Sequence, residues 1–252
     1  MFGTMKRIDS FDNSTERKKG MGTTIYLIPG VGADFRIFKN LQFPENCEVV
    51  HLKWVANKPD ESIQAYAKRL LPQIKKDTIP VLVGMSFGGI IAIELSKLIK
   101  PAKTILISSI RNKTERPLKF SILRRLPFHR FIPGSVVAKV NFWWSWALGD
   151  LTRKDKKMIN EMIEDIDIPF NEWAAHQAIT WQNEHEPDNL VQIHGTKDTI
   201  FPHIYVSKDA HIIKGGTHWM VVNRAKEISN IIRKELAEQK VIKRVEGIKK
   251  AA

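Results

Sequence analysis

Short apolar runs rich in β-branched residues recur along most of this chain, each closing on glycine or a small residue and each followed by a stretch with helical spacing. Such alternation leads to a parallel sheet with helices on its faces, because a strand followed by a helix returns to the sheet in the same direction. Thr24–Ile28 reads as the first strand and closes on Pro29-Gly30-Val31-Gly32, with a short helix over Phe35–Leu41. Cys47–Trp54 reads as the second. Asp60 is placed to cap a helix in which Ile63, Tyr66, Ala67, Leu70 and Leu71 fall at three- and four-residue steps. Pro80–Val83 is apolar throughout, as expected of a strand covered on both faces, and Phe87–Leu98 is the helix that leaves it. Thr104–Ile110, Leu190–His194 and Ala210–Lys214 complete six strands, before a long final helix from about Val221 to Val245.

One segment breaks the rhythm. Residues 111–187 carry prolines, basic residues, clustered aromatics and two or three helical stretches, with no strand signal. The expected organisation is an α/β core over 23–110 and 188–246 and a helical cap inserted over 111–187. A polar, disordered tail over 1–22 and a short C-terminal tail over 247–252 flank them.

The formal net charge of +13 raises the possibility of a nucleic-acid or anionic-membrane partner. Its distribution argues otherwise. Residues 1–22, 111–130 and 233–252 carry net charges of +2, +6 and +4, leaving the sheet-forming remainder nearly neutral. Zinc-finger spacing, a basic heptad and an aromatic RNA-binding signature are all absent, so no nucleic-acid partner is expected. No run is apolar and long enough to cross a bilayer, and the first twenty residues lack the apolar stretch of a signal peptide. Cys47 is the single cysteine and cannot form an internal bridge. A reduced, cytoplasmic setting is the expectation.

Chemistry enters with Gly84-Met85-Ser86-Phe87-Gly88-Gly89, a G-x-S-x-G string between an apolar strand and an apolar helix. In that context the two glycines make room for a tight turn that lifts the serine hydroxyl out of the sheet edge. A serine hydroxyl is a poor nucleophile near neutral pH and needs a base, which needs an orienting carboxylate. Asp198 lies in the loop just past the strand ending at His194, and His218 in the loop past the next strand. Parallel strands deliver all these loops to one edge, so Ser86, Asp198 and His218 can converge. Asp188 precedes its strand and falls at the opposite edge, while His194 reads as a packing residue beside the site. Gly30-Val31-Gly32 lacks the third glycine of a dinucleotide fingerprint, Phe35 standing there instead, and there is no Gly-Lys-Ser/Thr. His185-Glu186-Pro187 has no zinc-site spacing. Neither a cofactor nor a metal is expected.

From about Thr23 to Val245 the chain resembles the α/β-hydrolase superfamily, on GMSFGG, IHGTKDTIFP, GGTHWM and the chain order serine, aspartate, histidine. The resemblance implies a mostly parallel sheet flanked by helices with a helical cap. It makes Ser86 the nucleophile, His218 the general base and then acid, and Asp198 the orienting carboxylate. The backbone N–H groups of Phe87 and Val31 match the oxyanion-hole donors. Two features depart from the pattern: Pro29 stands where many relatives have histidine, and the two antiparallel strands that usually open the fold have no counterpart. The implied activity is a serine hydrolase cleaving a small-molecule carboxylic ester or thioester through an acyl-enzyme. A C–C bond hydrolase or lyase would use the same residues, and a non-catalytic binding protein would use the same scaffold.

The inserted block points to apolar or aromatic substrate groups, with Phe142, Trp143, Trp144 and Trp146, and Trp219 beside His218, as candidate substrate contacts. Packing inside the cap competes for these residues and for Phe128, Phe131, Trp173 and Trp181. Arg111, Lys113, Arg116, Lys119, Arg124, Arg125 and Arg130 form either a solvated face or a basic rim able to attract an anionic substrate.

Overall fold

The computed structural model describes residues 22–125 and 151–249, with side chains as far as Glu238. Six strands, β1 (Thr23–Ile28), β2 (Cys47–His51), β3 (Ile79–Met85), β4 (Lys103–Ile107), β5 (Leu190–Gly195) and β6 (His211–Ile213), form one sheet in the order β2-β1-β3-β4-β5-β6. Every pairing is parallel, with Leu27 opposite Val83, Gly84 opposite Leu106 and Ile107 opposite Ile193. The loops after the strands therefore gather at one edge.

Alternation along the strands divides the core in two. Ile25 and Leu27, Val81 and Val83, and Ile105 and Ile107 face one side. Tyr26 and Ile28, Leu82, and Leu106 face the other. Helix α2 (Phe87–Ile99) is buried on nearly all sides from Phe87 to Ser96, because the sheet, α1 (Ile63–Leu70) and α5 (Ile168–Thr180) enclose it. On the opposite face, α7 (Ala225–Lys249) turns Ile228, Ile232 and Leu236 toward the sheet at four-residue steps, beside α6 (Met220–Asn223). The insertion supplies α3 (Leu118–Arg125), α4 (Arg153–Glu164) and α5. Met158, Ile159 and Met162 of α4 join one core cluster, and Phe170, Ala174 and Ala178 of α5 join the other.

Several expected boundaries shift for identifiable reasons. Ser62, not Asp60, caps α1, its hydroxyl accepting from the Ala65 N–H at 3.2 Å; Asp60 takes a left-handed φ of 53° in the preceding turn. The fourth strand ends at Ile107 because Ser108 turns the chain with φ 49°. The second strand ends at His51, and the final helical stretch is two helices broken at Arg224, the second reaching Lys249.

The insertion leaves β4 and rejoins β5 through a hydrogen-bonded neck. The Lys113 N–H donates to the Asn183 carbonyl at 2.9 Å, the Asn183 amide to the Arg111 carbonyl at 3.1 Å, and the Arg116 guanidinium to the Trp181 carbonyl at 2.8 Å. Asn112 bonds Glu186, and Lys113 pairs with Glu184. Arg111 is buried at the base of this neck. Its Nε and Nη2 donate to Gln192 Oε1 on β5 at 3.0 and 2.7 Å, and it pairs with Glu115 at 3.2 Å and Asp209 at 3.1 Å. Burial pushes the Glu115 carboxyl up, against hydrogen bonds from the Arg111 and Ser207 backbone and from Gln192. Arg111 thus belongs to a buried polar network and not to a basic rim. Arg111→Met is expected to strand Glu115 and lower stability by about 3 kcal/mol in urea unfolding, since removing one partner of a buried pair leaves the other charge uncompensated.

Candidate active site

Ser86 sits between β3 and α2 with φ 52° and ψ −122°, a backbone conformation that an L-residue adopts only under constraint. The constraints are visible. The Ser86 N–H donates to the Ile107 carbonyl at 2.9 Å, and the Ser109 hydroxyl to the Ser86 carbonyl at 2.7 Å. A Cβ on Gly84 would overlap the Gly88 backbone, and one on Gly88 would overlap the Ile28 and Pro29 carbonyls. The turn closes only with glycine at both positions. Gly88→Ala is expected to cost about 3 kcal/mol or more, read as a lowered Tm, because the clashing atoms are backbone and cannot step aside.

The serine and the two loops past β5 and β6 meet at this edge. Ser86 Oγ lies 2.9 Å from His218 Nε2, and His218 Nδ1 lies 2.9 Å from Asp198 Oδ2. With Nδ1–H donating to the carboxylate, Nε2 is left to accept the serine proton. Asp198 is fixed by its own loop, Oδ1 accepting from the Ile200 and Phe201 N–H groups at 2.9 Å each. Burial alone would raise the Asp198 carboxyl. The neighbouring His218 and the Phe201 amide outweigh it, and the carboxyl is held below its ordinary value.

His194 is fully buried beneath the site. Its Nε2 lies 2.6 Å from the Phe201 carbonyl and 3.5 Å from Asp198 Oδ2. A carbonyl only accepts, so Nε2 carries the proton, and desolvation lowers the pKa and favours the neutral ring. The imidazole ties the Asp198–Phe201 loop to the end of β5, consistent with the packing role read from the sequence.

A cavity of about 320 Å³ opens onto these residues. Ser86, His218, Phe87 and Val31 line it together with mainly apolar groups, among them Phe120, Ile163, Ala178, Ile179 and Phe201. Phe87 provides the first amide of α2, which has no acceptor within its own helix. The Gly30–Gly32 turn lies against the serine: a Cβ on Gly30 would stand 3.2 Å from the Ser86 Cβ. Among the described residues, no three His, Cys, Asp or Glu side chains come together as a metal site.

The overlay with solved structures is extensive. The structure of MenH from S. aureus matches with a TM-score of 0.67 over 87% of this chain and 95% of that one, at 17% identity. The chain has the α/β-hydrolase fold. A carboxylesterase of the ammonia-oxidizing thaumarchaeon Nitrososphaera gargenis matches with a TM-score of 0.64 over 87% of this chain and 91% of that one, at 15% identity. A thermophilic esterase matches with a TM-score of 0.62 over 86% and 90%, at 16% identity. No protein-family model and no curated protein matches the sequence.

Within this α/β-hydrolase fold, the expected site residues fall into three groups. Ser86, His218, Asp198, Phe87, Val31 and Trp219 stand at or beside the cavity. Trp173 and Trp181 instead fasten the insertion to the core: Trp173 packs tilted against Tyr66 with ring centroids 4.5 Å apart and donates to the Glu61 carbonyl, while Trp181 donates to Glu94 at 2.7 Å. Phe142, Trp143, Trp144 and Trp146, with Phe128, Phe131 and Arg130, lie outside the described residues. The sequence reading missed Phe120, Asn171 and Thr199–Phe201 as cavity wall. The last three had a signal, since residues directly after Asp198 are bound to lie beside it. No helix among the described residues is long and apolar enough to cross a membrane.

Proposed function

We propose that this protein is a serine hydrolase that cleaves a small-molecule carboxylic ester or thioester through an acyl-enzyme. The observation that carries the reading is His218 bonded at once to Ser86 Oγ and Asp198 on the wall of a largely apolar cavity. The similarity of the fold to structures described as esterases adds to it.

In the first half-reaction His218 Nε2 takes the Ser86 proton as Oγ attacks the substrate carbonyl, and Asp198 stabilises the imidazolium that forms. The Phe87 and Val31 N–H groups receive the developing oxyanion. The imidazolium then returns its proton to the departing alcohol or thiol, leaving the acyl group on Ser86. In the second half, His218 draws a proton from water, hydroxide adds to the acyl carbonyl, and collapse frees the acid and restores the serine. The strained turn at Ser86 serves this sequence by holding Oγ clear of the sheet edge while the first amide of α2 stays beside it.

A fluorophosphonate probe tests the reading directly. The expected result is stoichiometric labelling of the wild type that is lost in Ser86→Ala and His218→Ala; a folded wild type that takes up no label overturns it. Parallel assays with p-nitrophenyl esters and acyl-CoA thioesters then separate the ester from the thioester.

A further inference from the structure

The basic residues at the start of the insertion have separate fates. Arg111 and Lys113 are ion-paired, and Arg116 donates to a backbone carbonyl. Arg124 and Arg125 are exposed and stand outside the cavity lining. Among the described residues, Lys119 is the one lysine or arginine that lines the cavity, and no carboxylate there forms an ion pair with it. Its Nζ donates to the Thr199 carbonyl at 2.6 Å, in the loop that carries Asp198. An ammonium has three N–H donors, so two remain beyond that bond among the described residues. The same Nζ lies 5.6 Å from the Phe120 ring centroid, and Phe120 also lines the cavity. Among the described residues, no Asp, Glu or Arg lines the cavity.

A cation with spare donors beside an apolar wall favours one ligand group above others. A carboxylate supplies the missing counter-charge and accepts charge-assisted hydrogen bonds, which strengthen where water is displaced. We propose that Lys119 recognises a carboxylate carried by the substrate, so that the site selects esters or thioesters bearing a second, anionic group. The ester in this statement rests on the hydrolase reading above; the anion does not. Burial lowers the Lys119 pKa and the Asp198 carboxylate opposes that, an opposition that a bound anion reinforces. The position also replaces the basic rim read from the sequence with a single recognising residue at the exposed edge of the pocket.

The carboxylate can belong to the acid or to the leaving group, and two ligand pairs distinguish them. In Ser86→Ala protein, where turnover cannot confuse the reading, calorimetry compares monomethyl with dimethyl glutarate, and p-acetoxybenzoate with its methyl ester. In at least one pair the charged member is expected to bind about tenfold tighter. Lys119→Arg keeps that ratio, Lys119→Met brings it near one, and Lys119→Glu inverts it. Taking ratios within a pair cancels any general loosening of the cavity by the substitution. Rising salt is expected to erode the preference in protein that retains Lys119, a test that needs no substitution at that position. No preference in either pair, a preference that Lys119→Met leaves intact, or one insensitive to salt overturns the proposal. Because binding is read without catalysis, such a failure is distinct from wild-type protein failing to hydrolyse p-nitrophenyl esters.

Discussion

Ser86→Ala is expected to lower kcat for p-nitrophenyl ester hydrolysis by about 10⁵-fold, with His218→Ala close behind and the double variant hardly worse than either. The three results form one prediction, because nucleophile and base act as a unit: an unactivated serine and a base without a nucleophile are equally idle. Residual turnover would come from the Phe87 and Val31 amides and the cavity. Stability gives a second readout of the same position. Alanine keeps a Cβ at φ 52° and so retains the strain, whereas glycine relieves it. Ser86→Gly is therefore expected to be inactive yet more stable than wild type by about 1 kcal/mol in denaturant titration. A wild-type-like kcat in Ser86→Ala, measured on protein freed of contaminating esterase, would show that His218 acts on something other than this hydroxyl.

Asp198→Asn is expected to reduce kcat by about 10⁴-fold while preserving the fold. The Asn Oδ1 can still accept from the Ile200 and Phe201 N–H groups that fix this loop. The amide that replaces Oδ2 then donates to His218 Nδ1. The imidazole proton moves to Nε2, and the ring can no longer accept from Ser86. Activity is lost through the tautomer and not through collapse, so near-UV circular dichroism should stay unchanged while turnover disappears. The same substitution alters acid stability. The folded carboxyl is held below its ordinary value, so its contribution is fully present above the unfolded pKa of about 3.9 and is lost as pH falls through the lower, folded pKa. Wild-type Tm should fall more steeply below about pH 4 than Tm of Asp198→Asn. Equal slopes would mean that Asp198 is not the carboxylate responsible.

Much of this was legible because burial on both faces leaves a strand little freedom. Ile79–Met85 and Lys103–Ile107 announce themselves as apolar runs, and parallel connections then oblige every following loop to reach one edge. Ser86, Asp198 and His218 could be grouped because each stands just past such a run. What stayed hidden depends on partners distant in sequence. Charge counting set Arg111 and Lys119 side by side, yet one is ion-paired with Glu115 and Asp209 and donates to Gln192 while the other reaches the cavity. A clue to the first was available: Gln192 interrupts Val191 and Ile193 in a buried strand, and a buried amide needs a partner. Ser62 and Asp60 are equally good capping residues on composition, and only the turn geometry decides between them. Trp173 and Trp181 show why aromatic content alone does not mark a binding wall, since their indole N–H groups are spent on Glu61 and Glu94.

The neck between Arg111 and Glu186 places the two ends of the insertion side by side before either reaches the sheet. Closing a loop between ends already held together costs little more when the loop is lengthened. Length can therefore change within the segment above the neck at small entropic cost, provided that the residues by which α4 and α5 join the two core clusters are kept. Substitutions at Phe120, Ile163 and Asn171 would reshape the cavity wall from that segment, while Ser86, Asp198 and His218 stay anchored in the loops past β3, β5 and β6.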